Sequence, residues 1–152
     1  AYIGDGNNVA HSLILGGAIL GIEVRIGCPK GYEPDAKIIE RAKKIAKNNF
    51  SLKISNDVHS IANKANVIYT DVWSSMGEEA EKEDKEKDFS GYTVDKKLLS
   101  YADKNAIVLH CLPAYRGKEI TDEIIESKNS RIFEQAENRM HIQQALLSCL
   151  LM

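Results

Sequence analysis

Ala106-Ile107-Val108-Leu109-His110-Cys111-Leu112-Pro113 sets how the rest of the chain is read. An apolar run followed by polar chemistry and a proline predicts a short buried strand from Ala106 to Leu109. The imidazole of His110 and the thiol of Cys111 would emerge at its carboxyl end, where open α/β sheets place their ligands. Working back from this strand, Asn66 to Thr70 reads as another, followed directly by Asp71-Val72-Trp73-Ser74-Ser75-Met76-Gly77. Tyr2-Ile3, the alternating Ile22 to Gly27 and the weaker Ser51 to Ile54 complete the predicted strands. Between them lie helical patterns at about Val9 to Leu20, from a capping Asp35 through Ala46, and at Asp57 to Ala62. A last helix is expected from about Glu137 to Leu151. Strands that alternate with helices pair in parallel through right-handed crossovers. The predicted fold is therefore α/β, a doubly wound, mainly parallel sheet with helices on both faces, a Rossmann-like three-layer sandwich.

The 152 residues are 43% hydrophobic and 28% charged, which describes one globular domain with a workable core. Their formal net charge of −2 provides no field to recruit nucleic acid or an anionic membrane. No apolar stretch is long enough to span a bilayer, and no basic-then-apolar leader opens the chain. Cys28, Cys111 and Cys149 are odd in number and widely spaced, unlike a zinc site or a secreted disulfide scaffold, so a reducing cytoplasm is expected. Because Ala1-Tyr2-Ile3 already reads as a strand and no initiator Met precedes it, the chain is expected to be part of a longer polypeptide.

The turn Gly4-Asp5-Gly6-Asn7-Asn8 tests a dinucleotide reading and fails it twice. Val9 holds the position of the third glycine, and the second strand ends in Ile26-Gly27-Cys28 without an acidic ribose ligand. A nicotinamide enzyme is disfavoured. Asn7 and Asn8 are then either plain turn formers, or one amide caps the helix while the other faces a ligand. Asp71 has two readings as well, a helix cap with Trp73 and Met76 in the core, or a carboxylate that pairs with the ammonium of an amino acid while Ser75 and loop amides take its carboxylate. The run Glu78 to Asp88 reads as a solvated, salt-bridged helix, with a flap over the neighbouring loop as the alternative. Cys111 is either a small buried residue or part of a site.

Five ordered stretches resolve these choices together. Gly4-Asp5-Gly6-Asn7-Asn8, Pro29-Lys30-Gly31-Tyr32-Glu33-Pro34, Asp71 to Gly77, His110-Cys111-Leu112-Pro113 and Glu137-Asn138-Arg139-Met140-His141 make the chain resemble the C-terminal half of the ornithine carbamoyltransferase family. The Ser-Met-Gly loop is the most substrate-specific of them. The resemblance implies that residues 1–152 form an ornithine-binding domain whose carbamoyl-phosphate partner domain lies outside this sequence. It implies an L-ornithine site of Asn8, Asp71, Ser75 and Met76, with Met76 acting through its backbone. Cys111 and Leu112 would meet the reacting centre, and Arg139 would bind carbamoyl phosphate. The δ-amine of ornithine attacks the carbamoyl carbon and phosphate leaves, giving citrulline, with no cofactor or metal required.

An amine attacks only as the free base, so the site must remove a proton. Cys111, Asp71 and His110 are the catalytic candidates: the Cys111 thiolate or the Asp71 carboxylate accepts or relays the proton, and His110 tunes the thiol. Arg139 would offset charge on the intermediate and on departing phosphate. The family's Ser-x-Arg-Thr and His-Pro-x-x-Gln motifs are absent from this sequence, so the chain alone is expected to be catalytically silent. Its apolar final helix is expected to expose Leu146, Leu147, Leu150 and Leu151, a face that invites self-association. The whole family enzyme is a homotrimer or an assembly of trimers. A noncatalytic amino-acid-binding or regulatory domain of the same fold is the competing reading.

Overall fold

The computed structural model describes residues 1–74 and 82–151. Five strands, β1 (Tyr2–Ile3), β2 (Glu23–Gly27), β3 (Ser51–Ser55), β4 (Val67–Thr70) and β5 (Ile107–His110), form one sheet in the order β3-β2-β1-β4-β5. Every pairing is parallel. The order reverses between β1 and β4, so the loops after these two strands flank a topological switch point. Among the described residues the helices are α1 (Asn8–Leu20), α2 (Ala36–Ile45), α3 (Val58–Ala62), α4 (Lys82–Asp88), α5 (Lys96–Leu99), α6 (Asp122–Ile125) and α7 (Ile132–Leu151).

Period-two side chains divide the core between the two faces. Ile3, Ile68 and Val108 point to one face with Ile61 of α3, Leu98 of α5 and Ile124 of α6. Tyr2, Val24 and Ile26 point to the other, under Ala10, Ile14 and Ala18 of α1 and Ala42 of α2. The doubly wound α/β prediction therefore describes the molecule. The outer edge of β5 is covered by the segment before α7: Val108 donates to the Asn129 carbonyl at 2.8 Å and Arg131 to that of Val108 at 2.9 Å. Such cover blunts an otherwise exposed sheet edge. Among the described residues no helix is long and apolar enough to cross a membrane.

Local chemistry sets the boundaries. Asp35 caps α2 by accepting from the Lys37 amide, and Asp57 caps α3 by accepting from His59 and Ser60. Gly21 ends α1 at φ 71°, its amide returning to the Gly17 carbonyl. Gly6 is where a side chain has no room. Its amide donates to the Tyr32 carbonyl at 2.8 Å, and a Cβ there would lie 2.4 Å from that oxygen. The glycine turn thus packs against the Pro29–Pro34 loop. Gly6→Ala is expected to cost about 1–3 kcal/mol as that loop is pushed away, seen as a lower urea midpoint; an unchanged midpoint would refute the close approach.

Three expectations need correction. The last helix begins at Ile132, not near Glu137, so its first turns pack on the sheet while Leu146, Leu147, Leu150 and Leu151 stand exposed as expected. Strand β5 starts at Ile107 and includes His110. The charged run is not a wholly solvated helix. Within its described part, α4 buries Lys85, whose Nζ lies 3.2 Å from an Asp5 carboxylate oxygen, and Phe89 follows fully buried. Tyr32 donates to Asp88 at 2.8 Å, and Lys118 pairs with Glu86. Together these contacts fasten α4 to the Gly4–Gly6 turn and the Pro29–Pro34 loop, each brought in by chain folding from far along the sequence.

Candidate functional site

Adjacent parallel strands β4 and β5 deliver their carboxyl-end residues side by side, with Thr70 opposite His110. The next residue of each strand supplies the centre of the site. The Cys111 thiol donates to Asp71 Oδ1 at 2.8 Å, and the Val72 amide donates to the same oxygen at 2.7 Å. Asp71 therefore binds its own loop and a neighbouring strand's thiol, and among the described residues it caps no helix. Trp73 is buried against Phe89, ring centroids 5.5 Å apart, which bears out its core placement.

Burial and then the Asp71 carboxylate push the Cys111 thiol up to about 12, from an ordinary 9.0. Burial likewise pushes Cys28 up to about 12, with Glu33 and Asp5 adding to the effect. Cys111 is consequently a neutral thiol at physiological pH, not a thiolate. A raised folded-state value means the fold binds these protons more tightly than the unfolded chain does. That stabilisation is complete below about pH 9 and is lost as pH climbs toward 12. Thermal unfolding midpoints should fall over this alkaline range, and less steeply in Cys28→Ala; identical slopes would contradict the assignment.

Both ring nitrogens of His110 are hydrogen-bonded to groups other than the thiol. Its Nδ1 accepts the Leu112 amide at 2.8 Å, so the ring proton sits on Nε2, which donates to Glu119 Oε1 at 3.1 Å. Both side chains are almost fully buried. Glu119 Oε1 also accepts the Tyr115 amide at 2.6 Å. The His110–Glu119 pair thereby fixes the Leu112–Tyr115 turn, in which Leu112 holds φ 57°. The expected tuning of the thiol by His110 gives way to a loop-shaping hydrogen-bond pair. Asp71, His110 and Cys111 do place donor atoms within 4.8 Å of one another. Both imidazole nitrogens are already engaged, however, which leaves two donors rather than three for an ion.

A cavity of about 1010 Å³ opens beside this cluster, between α7 and the Tyr69–Leu109 face of β4 and β5. Cys111, Leu112 and Arg139 line it, so the three residues expected to contact carbamoyl phosphate share one space. Asn8 is exposed as the first residue of α1, at the switch point. Asn7 occupies the N-cap without a side-chain cap bond, and its Oδ1 is buried with no partner among the described residues. Neither amide caps the helix. Ser75 and Met76 lie outside the described residues.

Four residues escaped sequence reasoning. Glu119 looks solvated in Arg-Gly-Lys-Glu, and Lys85 is lost in a charge run. Tyr69 passes as strand alternation, and Gln135 precedes the expected helix start. Gln135 Nε2 donates to the Tyr69 hydroxyl at 2.9 Å, and its Oε1 accepts the His110 amide at 3.1 Å.

Residues 1–150 match the family model described as aspartate/ornithine carbamoyltransferase, Asp/Orn binding domain. The ornithine carbamoyltransferase of Prochlorococcus marinus subsp. pastoris is 67% identical over 150 residues, covering 99% of this chain and 49% of that protein. The solved ornithine carbamoyltransferase from Pyrococcus furiosus has a TM-score of 0.90 at 48% identity, over 97% of this chain and 47% of the other. The anabolic ornithine carbamoyltransferase from Campylobacter jejuni gives 0.92 at 45%, over 98% and 50%. The chain spans about half the length of the relatives it matches.

Proposed function

Because the chain belongs to the aspartate/ornithine carbamoyltransferase family as its Asp/Orn-binding domain, we propose that it supplies the ornithine half of an ornithine carbamoyltransferase. The reaction is transfer of the carbamoyl group from carbamoyl phosphate to the δ-amine of L-ornithine, giving L-citrulline and phosphate, within arginine metabolism in the cytoplasm. The observation that carries this reading is the Cys111–Asp71 hydrogen bond at the head of β4 and β5, beside a cavity that Arg139 also lines. A domain that merely held an amino acid would need neither the thiol nor the arginine.

In this reading Asn8, Asp71, Ser75 and Met76 hold L-ornithine. The two protein donors to Asp71 both use Oδ1, which leaves Oδ2 to take the substrate's ammonium group. A neutral thiol cannot itself be the base. The δ-ammonium proton passes to Cys111 Sγ as the thiol proton passes to Asp71, so the amine is freed and no thiolate accumulates. Leu112 and Cys111 meet the carbamoyl group. Arg139 offsets negative charge on the tetrahedral intermediate and on phosphate as it leaves. The remaining carbamoyl-phosphate ligands belong to a domain outside these residues, on which the exposed apolar face of α7 packs, in a trimer or an assembly of trimers.

The test is citrulline formation. The chain alone should give none. Joined to the carbamoyl-phosphate half of the Prochlorococcus relative, it should carbamoylate ornithine and leave aspartate and putrescine untouched. Turnover of aspartate instead, or none by a folded joined enzyme, would sink the proposal.

A further inference from the structure

Pro29-Lys30-Gly31-Tyr32-Glu33-Pro34 is the one stretch of the five that contributes no residue to the proposed site. It follows β2, beside β1 and β4, which lead into the turn bearing Asn8 and the loop bearing Asp71. The stretch holds its own shape: the Tyr32 amide donates to the Pro29 carbonyl at 3.1 Å, and the Gly31 amide to Glu33 Oε2 at 2.8 Å. On one side it grips the start of α1. The Tyr32 carbonyl accepts the Gly6 amide at 2.8 Å, and His11 Nε2 accepts the Asp35 amide at 3.0 Å. On the other side the Tyr32 ring meets Phe89 edge-on, centroids 4.9 Å apart, and Phe89 stacks on Trp73 at 5.5 Å. Phe89 is fully buried and Trp73 is 8% exposed, so neither ring swings aside without opening a void. Trp73 lies two residues after Asp71. Tyr32 thus touches the turn that leads to Asn8 with its backbone and, through two further rings, the loop that carries Asp71.

We propose that Tyr32 is a positioning residue that sets the spacing between the Asn8 turn and the Asp71 loop, acting through the row Tyr32–Phe89–Trp73. That this spacing serves an amino-acid grip rests on the ornithine reading; the link between the loops does not. The charged groups of an amino acid sit at a fixed separation, and a misplacement of about 1 Å in such a grip costs up to about a hundredfold in rate. The ring carries the effect rather than the hydroxyl. An edge-to-face aromatic contact has a geometry that an aliphatic side chain does not reproduce. The hydroxyl donates to Asp88 at an exposed position, where water takes over the same bond. The Lys85–Asp5 ion pair joins α4 to the same turn, so removing the Tyr32 ring loosens the aromatic row without detaching α4.

Trp73 is the single tryptophan of the chain, so its fluorescence reports the Asp71 loop directly. Tyr32→Ala, at a temperature where its unfolding curve shows it folded, should raise acrylamide quenching of Trp73 about twofold or more as the loop opens locally. Tyr32→Phe keeps the ring and should restore the parental value. Tyr32→Leu fills much of the space without a ring; it should be quenched more than Tyr32→Phe, and it decides the matter if Tyr32→Ala does not fold. Ile124→Val lowers stability from the opposite face of the sheet and should leave quenching unchanged, which separates the link from general loosening. In a Phe89→Leu background Tyr32→Ala should add little, the signature of coupling through Phe89. In the joined enzyme, Tyr32→Ala should lower kcat/KM for ornithine about tenfold and Tyr32→Phe less than about twofold. Parental quenching in the folded ringless variants, quenching of Tyr32→Phe equal to that of Tyr32→Ala, or unchanged kcat/KM in an active joined Tyr32→Ala enzyme overturns the proposal. The expected quenching pattern beside a joined parent enzyme that does not use ornithine supports the link and counts against the ornithine reading alone.

Discussion

Replacing Glu119 by alanine is expected to remove about 2–5 kcal/mol of folding stability, the largest effect of any single change at the site. Two donors lose their acceptor at once, His110 Nε2–H and the Tyr115 amide, and an unsatisfied buried donor costs about 1–3 kcal/mol each. Water cannot easily replace the carboxylate, since the His110 and Glu119 side chains are 0% and 1% exposed. Urea unfolding should show a much lower midpoint with little change in slope. Glu119→Gln retains an acceptor oxygen and should lie between alanine and the parent. The loss also has a functional side: without Glu119 the Leu112–Tyr115 turn is free to move and Leu112 leaves the cavity wall. A parental midpoint in Glu119→Ala would mean that the pair does not hold the turn.

The uneven legibility of this chain has a physical basis. Strands β4 and β5 were readable because buried parallel strands are continuous apolar runs, and their polar successors Asp71 and Cys111 were readable as residues at strand ends. Register then did what sequence cannot: pairing Thr70 with His110 is what brings the Asp71 carboxylate against the Cys111 thiol. Residues whose role depends on distant partners were opaque. Glu119 acquires its burial from His110, Lys85 from Asp5 eighty positions away, and Tyr69 its orientation from Gln135. The start of α7 was missed for a related reason. Ile132 to Ala136 is helical because Ile132 is buried in the sheet core and Gln135 reaches across to Tyr69 and His110. The five motifs that carried the family resemblance were, by contrast, local strings. They point to the residues proposed for the site more readily than to the supports that position them.

Asp71→Asn should separate the two duties of that carboxylate by moving two measurements in opposite directions. The amide keeps an oxygen for the Val72 hydrogen but carries no charge. On the proposed reading, ornithine would lose its anionic partner and the amine proton its final acceptor. Loss of a general acid–base group costs about 10²–10⁴ in rate, so kcat/KM for ornithine in the joined enzyme should fall at least that far. The Cys111 thiol responds with the other sign. Asp71 is one of the groups that raises it, so removing the charge brings it down, and alkylation of Cys111 should become faster. A structural collapse would also expose the thiol, but it would broaden or lower the unfolding transition, which Asp71→Asn should leave nearly in place. Faster alkylation with preserved ornithine turnover would show that Asp71 is only a neighbour of the thiol. An unchanged rate of alkylation would show that the thiol does not sense its charge, and either result would break the relay from amine through Cys111 to Asp71.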